Sequence, residues 1–68
     1  MAILPEFAYA MLTEPYRVGD VSLPAGAKGT VLTVFPGTRT YTIEFFEPTR
    51  CVETVPMNIV AALNAQVT

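Results

Sequence analysis

Histidine and tryptophan are absent from this chain of 68 residues, and cysteine occurs once, at Cys51. Without histidine, the commonest general base is missing. One cysteine cannot form an internal disulfide, and one thiol without histidine cannot assemble a zinc site. Charge is scarce as well. Charged residues make up 15% of the chain, below the roughly one-quarter usual in soluble domains. The four cations, Arg17, Lys28, Arg39 and Arg50, are spread along the sequence, and the net charge is −2. Nucleic-acid binding depends on clustered cations that neutralise phosphates, so no nucleic-acid partner is expected. No apolar run reaches the ~18 residues of a membrane-spanning helix, and no membrane partner is expected. Residues 1–10 lack the cationic start of a secretory leader and carry Pro5 and Glu6, which points to a cytoplasmic protein. Nothing in the residue pattern asks for a cofactor or a metal, and neither is expected.

What the chain does have is apolar material. Hydrophobic residues make up 51% of it. A chain this short forms one domain, residues 1–68, with a thin core and mostly surface. Its stability balance lies close to zero unless a disulfide, a metal or a partner subunit helps. The first two are excluded, so a homo-oligomer is expected. Part of the apolar surplus then faces a second subunit or another protein.

Six prolines and four glycines punctuate short apolar runs, the pattern of short strands and tight turns. Before residue 57, no helical spacing of apolar residues escapes a nearby proline or glycine. Residues 8–13 read as a first strand. Residues 14–27, with Pro15, Gly19, Pro24 and Gly26, read as a long irregular loop whose Val18, Val21 and Leu23 tuck onto the core. Residues 28–35 (KGTVLTVF) are β-branched and form a strand, with Gly29 marking a bulge or a close approach. Pro36 and Gly37 fit the two central positions of a type II turn, which needs a positive φ at the second. Residues 40–47 (TYTIEFFE) alternate with period two. Tyr41, Ile43 and Phe45 therefore face the core, and Phe46 falls out of phase. Pro48 and Thr49 turn the chain into a strand over residues 50–55. Pro56 ends that strand, since it has no N–H for a ladder. Residues 56–59 suit one turn of 3-10 helix, and residues 60–63 close the structure. Residues 1–6 and 64–68 are expected to fray.

Five strands, a long first loop and a 3-10 turn before the last strand predict an all-β, SH3-like five-stranded barrel. The segment Val55-Pro56-Met57-Asn58-Ile59-Val60-Ala61-Ala62-Leu63 resembles the end of SH3 domains, where an aliphatic–proline pair, an asparagine and a valine form the 3-10 turn and last strand. The groove tyrosine and tryptophan of those domains have no counterpart: Ile59 stands in the tyrosine's place. From Leu12 to Leu63 the chain also resembles a family of short bacterial proteins of unknown function. The resemblance is carried by Leu12-Thr13-Glu14, Ala25-Gly26, Gly29-Thr30-Val31-Leu32 and Ile43-Glu44-Phe45. It implies a small barrel and supplies no catalytic residue. Mobile gene cassettes and antitoxin or immunity gene pairs are the setting we associate with it. Val52-Glu53-Thr54-Val55 before Pro56 is similar in position to the pore strand of type II dihydrofolate reductases. Those are SH3-like tetramers, in which a glutamine and a tyrosine absent here line the pore.

Four aromatic side chains fit poorly into a core: Phe46, Tyr16, Tyr9 and Phe7. They are the candidate interface or partner residues. If subunits share a cleft, Val52, Glu53 and Thr54 are its candidate lining. Cys51 reads as a small core or interface residue, because Arg50 beside it points to the other face of the strand and cannot activate it. Glu44, Glu47 and Glu53 with Arg39 and Arg50 read as cross-strand ion pairs on a solvated face. No residue is assigned a catalytic role. The expected function is therefore a non-enzymatic protein-interaction module that self-associates and serves as an antitoxin, immunity or regulatory partner of another protein. The alternative is a small-molecule-binding or enzymatic oligomer with a site between subunits, as in type II dihydrofolate reductase. A barrel this small leaves no room inside for a pocket of ~300 Å³ or more.

Overall fold

The period-two run around Ile43 becomes an inner strand of a purely antiparallel sheet. The computed structural model describes residues 3–63. Seven strands occur among them: β1 (Tyr9–Leu12), β2 (Tyr16–Val18), β3 (Val21–Leu23), β4 (Lys28–Phe35), β5 (Thr40–Glu47), β6 (Cys51–Pro56) and β7 (Val60–Ala62). A 3-10 turn, Met57–Ile59, joins β6 to β7, and no α-helix occurs among the described residues. Five strands form one sheet in the order β6-β5-β4-β1-β7, and β2 pairs with β3 in a separate ladder. No ladder joins β6 to β7 among the described residues.

The expected irregular loop at 14–27 is in fact a hairpin followed by a turn. Val18 pairs with Val21, leaving Gly19-Asp20 as a two-residue loop. Gly19 has φ +56°, the first-position conformation of a type II′ hairpin turn. Pro24 then accepts a hydrogen bond from the Ala27 N–H at 3.1 Å. Gly26, with φ +90°, supplies the positive φ of a type II turn. The expectation that Gly37 does so is corrected. The Arg39 N–H donates to Pro36 at 3.2 Å, so Pro36 sits one place earlier in its turn than expected. The left-handed residue there is Arg39, at φ +57°.

Tyr41, Ile43 and Phe45 are buried together with Ala10, Leu12, Leu23, Ala27, Val31, Val55 and Ile59. The small sheet contributes Leu23 to this core, with Tyr16 and Val21 packed against it. Burying a side chain such as Phe45 or Leu12 contributes about 1.5–3 kcal/mol. The Leu4 N–H donates to the Tyr41 hydroxyl at 2.8 Å, which ties residue 4 to the sheet within the stretch expected to fray. The fraying expected at 64–68 lies outside the described residues.

Gly29 sits where β4 changes register against β5: Lys28 pairs with Glu47, and Gly29 with Phe45. Two residues of β4 therefore span three of β5, and the extra residue is Phe46. A bulge of this kind leaves one residue unpaired. Phe46 keeps the outward side that alternation gives to Thr42 and Glu44, and it is Glu47, beyond the bulge, that breaks the alternation by facing out as well.

Candidate interaction surface

Strand alternation puts one face of the large sheet against the core and leaves the other open. On the open face, pairing aligns Tyr9 with Thr30, Thr30 with Glu44, and Glu44 with Val52 across four strands. A second row joins Thr33, Thr42 and Thr54, with a 2.9 Å hydrogen bond between the Thr42 and Thr54 hydroxyls. Both rows hold few charges.

Two of the four candidate aromatic residues meet on this face. Tyr9 and Phe46 meet edge to face, with ring centroids 6.3 Å apart and planes at 84°, the arrangement aromatic quadrupoles favour. Both remain exposed, at 50% and 41%. Phe7 is 72% exposed. It precedes β1 in the chain, its N–H donating to the Val31 carbonyl at 2.6 Å, and it holds a positive φ of 70°, an unusual conformation for a bulky residue. The fourth, Tyr16, belongs to β2 and packs against the core.

The candidate cleft residues do not share a surface. Val52 and Thr54 lie opposite Glu44 and Thr42 on the open face, while Glu53 lies opposite the buried Ile43. Glu53 therefore points to the core side of the edge strand. The carboxylates do not converge either: no group of three or more potential metal ligands occurs among the described residues. Glu47 pairs with Lys28 at 3.7 Å rather than with an arginine, and an exposed pair of this kind contributes about 0–1 kcal/mol.

Cys51 faces inward opposite Phe45 and packs against the core. Burial pushes its thiol pKa up, and the nearby Glu53 carboxylate raises it further. Both effects keep the sulfur protonated, the opposite of what a nucleophile needs.

A groove of about 680 Å³ runs beside the 3-10 turn, lined by Ile3, Pro36, Thr38, Arg39, Met57 and Asn58. The expectation that a space this large must lie between subunits is corrected: loops of a single chain, not a barrel interior, form its walls. The prolines that end β4 and β6, Pro36 and Pro56, are the sequence features that flank it. No described helix is long and apolar enough to cross a membrane. Comparisons with family models, curated proteins and solved structures find no match to this chain.

Proposed function

We propose that this protein is a non-enzymatic protein-interaction module with an SH3-like barrel fold, and that it self-associates through the open face of its large sheet. The observation that carries this reading is the exposed aromatic pair of Tyr9 and Phe46, with Val52 on the same open face and Phe7 exposed in the segment before β1. Aromatic residues that form the centre of a contact patch supply most of the binding energy at protein interfaces. The low charge of the chain removes much of the repulsion that would keep copies apart. The barrel reading is supported by the strand order, by the hairpin within the first long connection, and by the 3-10 turn before the last strand. The non-enzymatic reading is supported by the absence of histidine and by a thiol held in its protonated form.

Size-exclusion chromatography with light scattering tests the proposal. The native chain is expected to elute as an oligomer at micromolar concentration, and Phe46→Glu as a monomer. A native chain that is monomeric throughout, with Phe46→Glu indistinguishable from it, overturns the reading.

The groove at the 3-10 turn favours a second reading, small-molecule binding. Arg39 is the one cation in its lining. A thermal-shift screen that includes nucleotides and folates tests this, since a ligand at a hundred times its Kd stabilises by about 2.7 kcal/mol. A silent screen removes it.

A further inference from the structure

The groove beside the 3-10 turn does not end at Asn58. A second hollow of about 300 Å³ shares three of its walls, Ile3, Met57 and Asn58, and continues past Leu4 and Tyr41 along β7. The two ends differ in chemistry. Arg39 and Thr38 belong to the outer end alone. Leu4, Tyr41, Val60, Ala61 and Ala62 belong to the inner end alone. The one phenol there is already engaged, because the Tyr41 hydroxyl accepts the Leu4 N–H at 2.8 Å. Among the described residues, no carboxylate lines either end.

Backbone bonds fix Arg39 at the outer end. Its N–H donates to the Pro36 carbonyl at 3.2 Å, and its carbonyl accepts the Met57 N–H at 2.8 Å. Both main-chain groups are used in holding the β4–β5 turn against the 3-10 turn, so what the residue offers a ligand is its guanidinium. Its φ of +57° is a left-handed conformation that suits glycine or asparagine better than arginine. Among the described residues Arg39 takes part in no salt bridge. The planar fork of a guanidinium matches a carboxylate through two parallel hydrogen bonds.

We propose that this groove binds a small monocarboxylic acid with an apolar body, a medium-chain aliphatic acid being the simplest case. The carboxylate pairs with Arg39, and the hydrocarbon lies over Met57 and Ile3 toward Tyr41 and β7. The proposal rests on the small-molecule reading above and adds the class of ligand and its direction in the groove. Charge complementarity selects that class. One cation and no anion in the walls match a single negative charge. A second negative charge, as on a folate, would lose water with no counter-ion, which is costly. A cationic amphiphile would set like charges together at Arg39.

Decanoate, kept below its micelle concentration, is the probe, with decanol and decylamine as neutral and cationic controls. In an amide NMR titration, decanoate is expected to shift Arg39, Met57 and Ala61 saturably. It is expected to bind about tenfold or more tighter than decanol, the scale of hydrogen bonds to a charged group, with decylamine weakest. Octanoate is expected to bind about fourfold more weakly per methylene removed. Arg39→Gln is expected to bring decanoate to the level of decanol and to leave decanol unchanged. Arg39→Lys keeps the charge without the fork, and is expected to retain part of the affinity. Arg39→Gly keeps the test independent of folding: it relieves the left-handed φ, so its urea midpoint is expected to equal or exceed the native one while its decanoate binding matches that of Arg39→Gln.

Decanoate no tighter than decanol on the native chain, or native affinity for decanoate in Arg39→Gln, overturns the carboxylate assignment and leaves the small-molecule reading standing. Shifts that centre on Phe46 and Val52 also overturn it, and mark adsorption to the open face. A chain that binds none of the three probes and stays silent in the thermal-shift screen removes both.

Discussion

A β-carbon added to Gly29 would lie 2.6 Å from the carbonyl oxygen of Glu44 and 2.6 Å from Cγ2 of Ile43. The carbonyl belongs to the backbone of β5 and cannot swing aside as a side-chain tip would. Gly29→Ala must therefore push β4 away from β5 at the bulge. We expect it to destabilise the fold by about 1–3 kcal/mol, the range for overpacked cores, and to shift the orientation of Phe46. Urea denaturation measures the first effect. A midpoint equal to native would show that the bulge can absorb a methyl group.

Among the described residues, the hydroxyl of Tyr41 accepts one hydrogen bond, from the Leu4 N–H. Tyr41→Phe keeps the buried ring and loses that bond, at an expected cost of about 1 kcal/mol. The local signature is more specific than the global one. Amide exchange at Leu4 should quicken, while that of Ile43 changes only with overall stability. Unchanged protection at Leu4 would mean that residue 4 is held by packing alone.

Burial and Glu53 both raise the Cys51 pKa in the folded chain, so the folded state holds the thiol proton more tightly than the unfolded state does. The linkage then has a definite sign. The contribution is fully present below the thiol's ordinary pKa and is lost as pH rises through the elevated folded value. Stability is expected to fall in this alkaline range, and Cys51→Ser to flatten the fall. Alkylation of the native thiol should also need higher pH than that of the urea-unfolded chain. Equal alkylation profiles in the two states would contradict the shift.

If association supplies part of the stability, the thermal midpoint depends on protein concentration. Scans at concentrations a hundredfold apart should separate by several degrees for the native chain, given roughly 4–8 °C per kcal/mol at this size. Phe46→Glu scans should coincide. Coincident native scans would place all the stability within one subunit.

The strongest sequence signals are those that need only local information. Residues 28–35 and 40–47 form strands over those same bounds, because β-branched residues and period-two alternation act within the strand itself. Tyr41, Ile43 and Phe45 share the interior for the same reason. The hairpin at Tyr16–Leu23 was legible but was hidden by its prolines. Pro15 and Pro24 sit outside the paired residues, so they bound the strands instead of breaking them, and Gly19-Asp20 is a recognised two-residue loop. The turn at 36–39 was legible in place but not in type, because Pro36 is compatible with more than one turn position and the pairing of Phe35 with Thr40 decides which one it takes. For Phe46, alternation alone puts the residue on the outer face, where the structure has it; that it has no partner in β4 is not legible locally, because the register shift lies at Gly29 in another strand. The groove at the 3-10 turn is assembled from residues more than fifty positions apart, Ile3 and Asn58 among them, and no local pattern announces such a meeting.

Glu53 guards one edge of the large sheet. It is a carboxylate on the core side of an outermost strand, whose backbone groups would otherwise invite a further strand to join. A neighbour that extended the sheet there would enclose that negative charge in hydrocarbon. Strand addition at β6 is therefore costly from its first step. The opposite outermost strand, β7, is Val-Ala-Ala and carries no such guard.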